Sequence, residues 1–207
     1  LTLEMLNNTE AMCLFKTTSD AHLEEVFDAG AETNVPDDVK WAGLDESQRT
    51  AVKRLYAWIR SCVPDGATSA DLSTFKSEKF RDEISDYFDK AFLLTYYLWT
   101  DYFLAVDQRA KNMMLRTWDG LIWYITYYDG DTQMGKRNDC FLVYDYTTDR
   151  DTYDAEAGKY AFEGRDSWLW NLVLANLDAD LKTQAQALRG VLTTSRVLDM
   201  LNVEQAG

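Results

Sequence analysis

The hydrophobic period of this chain changes once, sharply, and that change limits the fold more than any other feature. From Lys76 to about Val106 the run KSEKFRDEISDYFDKAFLLTYYLWTDYFLAV has helical spacing, with Phe80, Ile84, Phe88, Phe92, Thr95 and Trp99 marking one face. Its second half is apolar nearly all round, which predicts a helix buried against other helices. A few residues later, MMLRTWDGLIWYITYYDGD holds two short strand-like runs around Asp119-Gly120, a strong hairpin signal. Ile122, Tyr124, Thr126 and Tyr128 alternate there with Trp123, Ile125, Tyr127 and Asp129. A long buried helix joined to a short hairpin predicts an α+β fold, mostly α-helical, with a small central antiparallel β hairpin or sheet.

The flanking segments agree. LDESQRTAVKRLYAWIRSCV places Leu44, Val52, Leu55, Trp58, Ile59 and Val63 at helical spacing, starting from Asp45 and closed by Pro64 and Gly66. PDGATSADLST reads as a loop in which Asp71 or Ser73 caps the next element. Upstream, TTSDAHLEEVFDAG is a candidate short helix ending at Gly30, and Pro36 prevents its continuation. CFLVYDY (140–146) is a third candidate strand, and residues 147–165 form a long polar loop. Helices return in DSWLWNLVLANL, LKTQAQALRGVL and SRVLDMLNVEQ. The expected organisation is one domain, 1–207. Its segment 1–40 is poorly defined, and its helical core, 41–207, carries a β insert at about 112–146. Leu1 in place of Met reads as the start of a fragment of a longer protein.

Charge excludes some functions. Lys and Arg number 21 against 35 Asp and Glu, a net charge of −14, so a broad nucleic-acid face or docking on anionic lipid is disfavoured. Cys13, Cys62 and Cys140 are scattered and His22 is the lone histidine, which argues against zinc binding and against Ser-His-Asp or Cys-His catalysis. No apolar run reaches membrane-spanning length, and no signal pattern follows Leu1.

One stretch, 107–135, carries chemistry. Asp107 and Asn112 precede the hairpin, and Asp129 and Asp131 come after it. Residues two apart in a strand share a face about 6.5 Å apart, so Asp129 and Asp131 suit one divalent cation, either Mg²⁺ or Mn²⁺. If 107–112 were helical, Asp107 and Asn112 would point about 140° apart. They serve one site only if the helix ends near Val106 and the chain turns through QRAK, where Arg109 and Lys111 would meet phosphate. The bland alternative is that Asp119-Gly120 and Asp129-Gly130 are turn dipeptides, Asp107 a cap and Asn112 a turn residue.

The segment YYLWTDYFLAVDQRAKNMMLRTWDGLIWYITYYDGDTQMG resembles the active-site half of CotH-type atypical kinases: an apolar helix, an Asp, an Asn entering a strand, a hairpin, then D-x-D and Gly. The resemblance implies a fold like a kinase C-lobe. It also implies Asp107 as catalytic, Lys111 and Asn112 as cofactor-binding, and Asn112, Asp129 and Asp131 as metal ligands for Mg²⁺ and ATP. The glycine-rich loop, the strand lysine and the catalytic-loop histidine of ordinary kinases are missing from the pattern. RLYAWIRS, FRDEISDYFDK, WYITYYDGDTQMGKRND and FEGRDSWLWNLV are also similar to segments of tailed-bacteriophage tail or virion proteins. That similarity implies a virion module, placed in the virion and in the host cytoplasm during assembly, with other virion proteins or a protein acceptor as partners. A purely structural module with a degenerate acidic site is the alternative.

Overall fold

A computed structural model describes residues 2–5, 43–68, 71–103, 105, 108–109, 113–127 and 167–205, with side chains except at 2–5, 113–114 and 200–205. The candidate strand at 140–146, the loop at 147–165, the upstream helix ending at Gly30, His22, Cys13 and Cys140 lie outside the described residues.

Helix α1 spans Glu46–Cys62 and is capped by Asp45, the residue from which the helical spacing runs. The Asp45 carboxylate accepts the Gln48 backbone N–H at 2.9 Å, and the Gln48 side chain accepts the Asp45 N–H at 2.9 Å. This reciprocal capping box satisfies two of the donors that a helix start leaves unpaired. The face bearing Val52, Leu55, Tyr56, Trp58, Ile59 and Cys62 is buried. The helix stops at Val63, before Pro64, and the chain reverses through Gly66 at φ +77°.

The expected single helix from Lys76 to Val106 is two helices. After a 3₁₀ turn, Leu72–Phe75, capped by Asp71, helix α2 spans Glu78–Glu83 and a second 3₁₀ turn Ile84–Asp86. Helix α3 then begins at Lys90 and runs to Tyr102. A non-local pairing breaks the helix. Trp123 N–H donates to the Tyr87 carbonyl at 2.7 Å, the Asp89 N–H donates to the Trp123 carbonyl at 3.4 Å, and Phe88 forms a parallel bridge with Trp123. Asp89 then caps the new helix by accepting the Phe92 N–H at 2.9 Å.

The break shifts the helical phase. Phe80, Ile84 and Phe88 are buried as expected, but beyond the break the buried residues are Leu93, Leu94, Tyr96, Tyr97 and Thr100. Phe92 is 44% exposed, and Thr95 and Trp99 are half-buried. The expected face is therefore wrong from residue 92 onward.

The hairpin forms as expected: β2, Met113–Thr117, pairs antiparallel with β3, Trp123–Tyr127, from Met113↔Tyr127 to Thr117↔Trp123. In the turn, Asp119 accepts the N–H groups of Leu121 (2.8 Å) and Ile122 (3.0 Å), and Gly120 adopts φ +74°. A further strand, β1 (Thr2–Met5), pairs antiparallel with β2, giving the order β1-β2-β3. Leu115, Trp123 and Ile125 sit in the core.

Three helices close the chain: α4 (Trp168–Asn176), α5 (Asp178–Val191) and α6 (Thr194–Gln205). Helix α4 is the central one, with Leu169, Trp170, Leu172 and Val173 fully buried against α1, α2 and the first 3₁₀ turn. Helix α5 packs on α3 and α4. Aromatic stacking joins α1 to the 3₁₀ region, with Trp58 parallel to Tyr87 at 4.1 Å and to Phe80 at 5.4 Å. Arg54 lies over the Tyr87 ring at 4.0 Å and donates to the carbonyls of Leu121 and Asp86, fastening α1 to the hairpin turn. Among the described residues the architecture is α+β and mostly helical, with one small antiparallel sheet. Among the described residues no helix is long and apolar enough to cross a membrane.

Candidate functional site

The expected site straddles the passage from α3 to the hairpin. Asp107, Lys111, Asn112, Asp129 and Asp131 lie outside the described residues. What the structure gives is the frame at their borders: α3 before Asp107, Gln108 and Arg109 just after it, Met113 after Asn112, and Tyr127 before Asp129.

Helix α3 ends at Tyr102, short of Asp107, and Gln108 and Arg109 lie in a turn. The Ala105 N–H donates to the Thr100 carbonyl at 2.9 Å, and the Gln108 N–H donates to the Ala105 carbonyl at 3.3 Å. The helix end that a shared Asp107/Asn112 site requires is therefore present.

The turn is held in the core. Ala105, Gln108 and Arg109 are each buried to within 1% of completely. The Tyr96 hydroxyl donates to the Gln108 carbonyl at 2.8 Å, and the Trp170 indole N–H donates to the Arg109 carbonyl at 3.0 Å. Tyr96 and Trp170 stack on each other at 6.1 Å and 8°. Burial pushes the Tyr96 hydroxyl well above the usual phenol range, so it stays protonated and able to donate.

Arg109 does not meet phosphate at the surface, as its place in a polar turn suggested. Its side chain is 2% exposed, its guanidinium lies over the Tyr97 ring at 4.6 Å, and its Nη2 is 3.6 Å from Asp101 Oδ1. Tyr97 and Asp101 are four apart on α3 and so share one helix face. Nothing local in QRAK distinguishes a buried arginine from an exposed one. The only available signal was that Tyr97/Asp101 spacing on an otherwise apolar helix.

Among the described residues, two grooves lie along the hairpin, one beside β3 and one at its turn. An apolar groove of about 320 Å³ between α3 and β3 is lined by Phe92, Tyr96, Trp99, Ile125 and Tyr127, with no charged side chain to hold a phosphate. A polar groove of about 590 Å³ lies at the hairpin turn and includes Glu83, Asp86 and Asp119. Asp119 is occupied there as a turn residue. The N–H groups of Ile122 and then Leu121 hold its carboxyl below the usual carboxylate range. Among the described residues no group of three or more His, Cys, Asp or Glu side chains is arranged to hold a metal ion.

No protein-family model, curated protein or solved structure matches the chain.

Proposed function

We propose that the chain is a module of a tailed-bacteriophage virion protein carrying a kinase-like phosphotransferase site for a Mg²⁺–nucleotide. In this reading Asp107 orients the acceptor hydroxyl. Asn112, Asp129 and Asp131 hold Mg²⁺ or Mn²⁺ against the phosphates of ATP, and Lys111 offsets phosphate charge. Such chemistry depends chiefly on positioning and electrostatic stabilisation, so it needs a rigid frame more than a reactive side chain.

The observation that supports it best is the clamped turn. The backbone on the C-terminal side of Asp107 is fixed in the core by two aromatic donors, and α3 has ended by then. The hairpin register adds support. Met113 and Tyr127 are paired, so Asn112 is one residue and Asp129 two residues from the same end of the hairpin. At about 3.8 Å per residue, connectivity alone keeps the two chain segments near each other. The assignment to a virion rests on the likeness of RLYAWIRS, FRDEISDYFDK, WYITYYDGDTQMGKRND and FEGRDSWLWNLV to segments of virion proteins.

Thermal unfolding with EDTA, with Mg²⁺ or Mn²⁺, and with metal plus ATP tests the site. At ATP one hundred times its Kd, the stabilisation is about 2.7 kcal/mol. For a chain of this length that is a rise of roughly 5–10 °C. The D129A/D131A variant should lose it. No shift in wild type under any condition would reject the nucleotide site. A structural module is the second reading, favoured by the exposed apolar residues Val191, Leu192, Val197 and Leu198 on and between α5 and α6.

A further inference from the structure

Exposed apolar side chains gather at two places on this molecule. At the hairpin turn, Trp118 is 79% exposed and Leu121 is 51% exposed. On the last two helices, Val191, Leu192, Val197 and Leu198 are exposed together. Single exposed apolar residues are ordinary, whereas a cluster marks a contact surface. The second cluster belongs to an arm that the core does not hold. Helix α5 is anchored near its start, where Lys90 pairs with Asp180 at 2.8 Å and the Gln184 side chain donates to Thr95 Oγ1 at 2.8 Å. From Arg189 to Asp199 every residue is exposed. A helix of 12 residues such as α6 is marginal in water unless its apolar side packs on something.

The two clusters carry opposite charge. The groove at the hairpin turn holds Glu83, Asp86 and Asp119 against one guanidinium, Arg54, whose Nη1 and Nη2 donate to the Leu121 and Asp86 carbonyls. The Arg116 guanidinium lies 5.7 Å from the centre of the Trp118 ring, so this indole already receives a cation. On the arm, between residues 189 and 199, Arg189 and Arg196 stand against a single acid, Asp199. Neither arginine forms an ion pair among the described residues. A chain of net charge −14 repels its own copies on average. A basic apolar arm and an acidic apolar turn are where two copies meet with attraction instead.

We propose that copies of this chain associate arm to turn. The apolar side of one copy's α5–α6 arm seats on Trp118 and Leu121 of another copy, and Arg189 and Arg196 face the carboxylates of its turn groove. The contact joins two different patches and is therefore heterologous. Two copies that exchange arms use it twice and stop as a dimer, whereas copies that pass the arm onward form a ring or a row. With two apolar anchors on one side and four on the other, each patch is small beside the roughly 800 Å² per partner of a standard interface. A single contact is accordingly weak, and salt weakens it further. The inference is independent of the proposed metal–nucleotide site.

The test is sedimentation velocity of the full chain over a concentration series reaching millimolar, at low and at high salt. Wild type should self-associate reversibly, and less at high salt. Trp118→Ser should weaken the association roughly 30-fold or more, the loss of a tryptophan anchor. The charge reversals Arg189→Glu/Arg196→Glu on the arm and Ser85→Lys/Asp86→Lys at the turn should each abolish it. Glu83 and Asp119 stay intact, because Glu83 accepts the Trp58 indole N–H and Asp119 holds the turn. The decisive variant carries both reversals in one chain, where attraction returns with its sign exchanged and self-association should recover. All the altered side chains are exposed, so each variant should melt close to wild type; Trp118→Ser alone decides the case if a charge variant does not fold. A wild type that stays monomeric up to millimolar concentration overturns the proposal and leaves the arm to a different partner. Association that persists in the separate variants, or that fails to recover in the combined one, also overturns it, because the copies then meet through other surfaces.

Discussion

Trp170 offers the most direct energetic test of the clamp. It is completely buried, stacks on Tyr96, lies 5.8 Å from Tyr97, and donates its indole N–H to the Arg109 carbonyl. Two substitutions separate these roles. Trp170→Ala removes the ring and the donor, and should cost about 3–5 kcal/mol for the lost burial and cavity. The orphaned carbonyl adds to that loss in part. Trp170→Phe keeps an aromatic ring against Tyr96 but leaves the buried carbonyl without its donor, at a cost of about 1–3 kcal/mol. Urea unfolding monitored by circular dichroism reads both through the shift of the midpoint at constant slope. The thermal equivalents are roughly 2–4 °C per kcal/mol for a chain of this size. A Trp170→Phe loss below about 0.5 kcal/mol would refute the reasoning, because an unserved buried carbonyl costs more than that. A Trp170→Ala loss below about 2 kcal/mol would mean that α4 is not the central helix of this core.

Trp99 is half-buried, with an edge-to-face contact to Tyr127 at 4.2 Å, so Trp99→Ala should cost about 2 kcal/mol, roughly half the loss for a fully buried tryptophan; a loss above about 4 kcal/mol in urea unfolding would restore the face expected from sequence. Gly120 and Gly66 both have positive φ, but a Cβ at Gly120 would sit 3.3 Å from the Ala51 Cβ, whereas one at Gly66 meets open space. Gly120→Ala should therefore cost more than the roughly 1–2 kcal/mol expected for Gly66→Ala from backbone strain alone, and equal losses would contradict the packing of the turn on α1. Burial pushes the Cys62 thiol up to about 11, so in a C13S/C140S background it should resist a thiol reagent at pH 8 until urea unfolds the chain; rapid native labelling would contradict its burial. The Asp119 carboxyl is held low by the Ile122 and Leu121 N–H groups. Its contribution is thus present above the unfolded value of about 3.9 and is lost as pH falls through the lower folded value. Asp119→Asn should therefore destabilise at pH 7 more than at pH 2, and equal urea-midpoint shifts at the two pH values would contradict this.

Local signals carried much of the fold. The helical spacing from Asp45 onward marked α1, Pro64 and Gly66 its end, and Asp119-Gly120 the hairpin, because each acts through neighbours a few residues away. The errors arose where distant residues decide. The break between α2 and α3 depends on Trp123 pairing with residues 87–89, some thirty-five residues earlier; Asp89 was available as a cap, but the apolar period ran through it. Strand β1 exists because β2 offers it an edge, and Thr2–Met5 is too short to stand out alone. For the site, the sequence marked acidic positions whose side chains lie outside the described residues. It also placed Arg109 in a polar turn without indicating that Tyr96, Tyr97, Asp101 and Trp170 would enclose it. A buried charge is determined by what packs over it, and that is written across two helices rather than in one motif.

In the proposed function, the segments flanking this clamped turn bind a metal–nucleotide together. Isothermal titration of Mg²⁺·ATP into wild type and into N112A/D129A/D131A tests it most directly. A saturable one-to-one isotherm in wild type that disappears in the triple variant, with both proteins folded at the temperature used, is the predicted result. No heat of binding in wild type, or the same isotherm in both proteins, would contradict it.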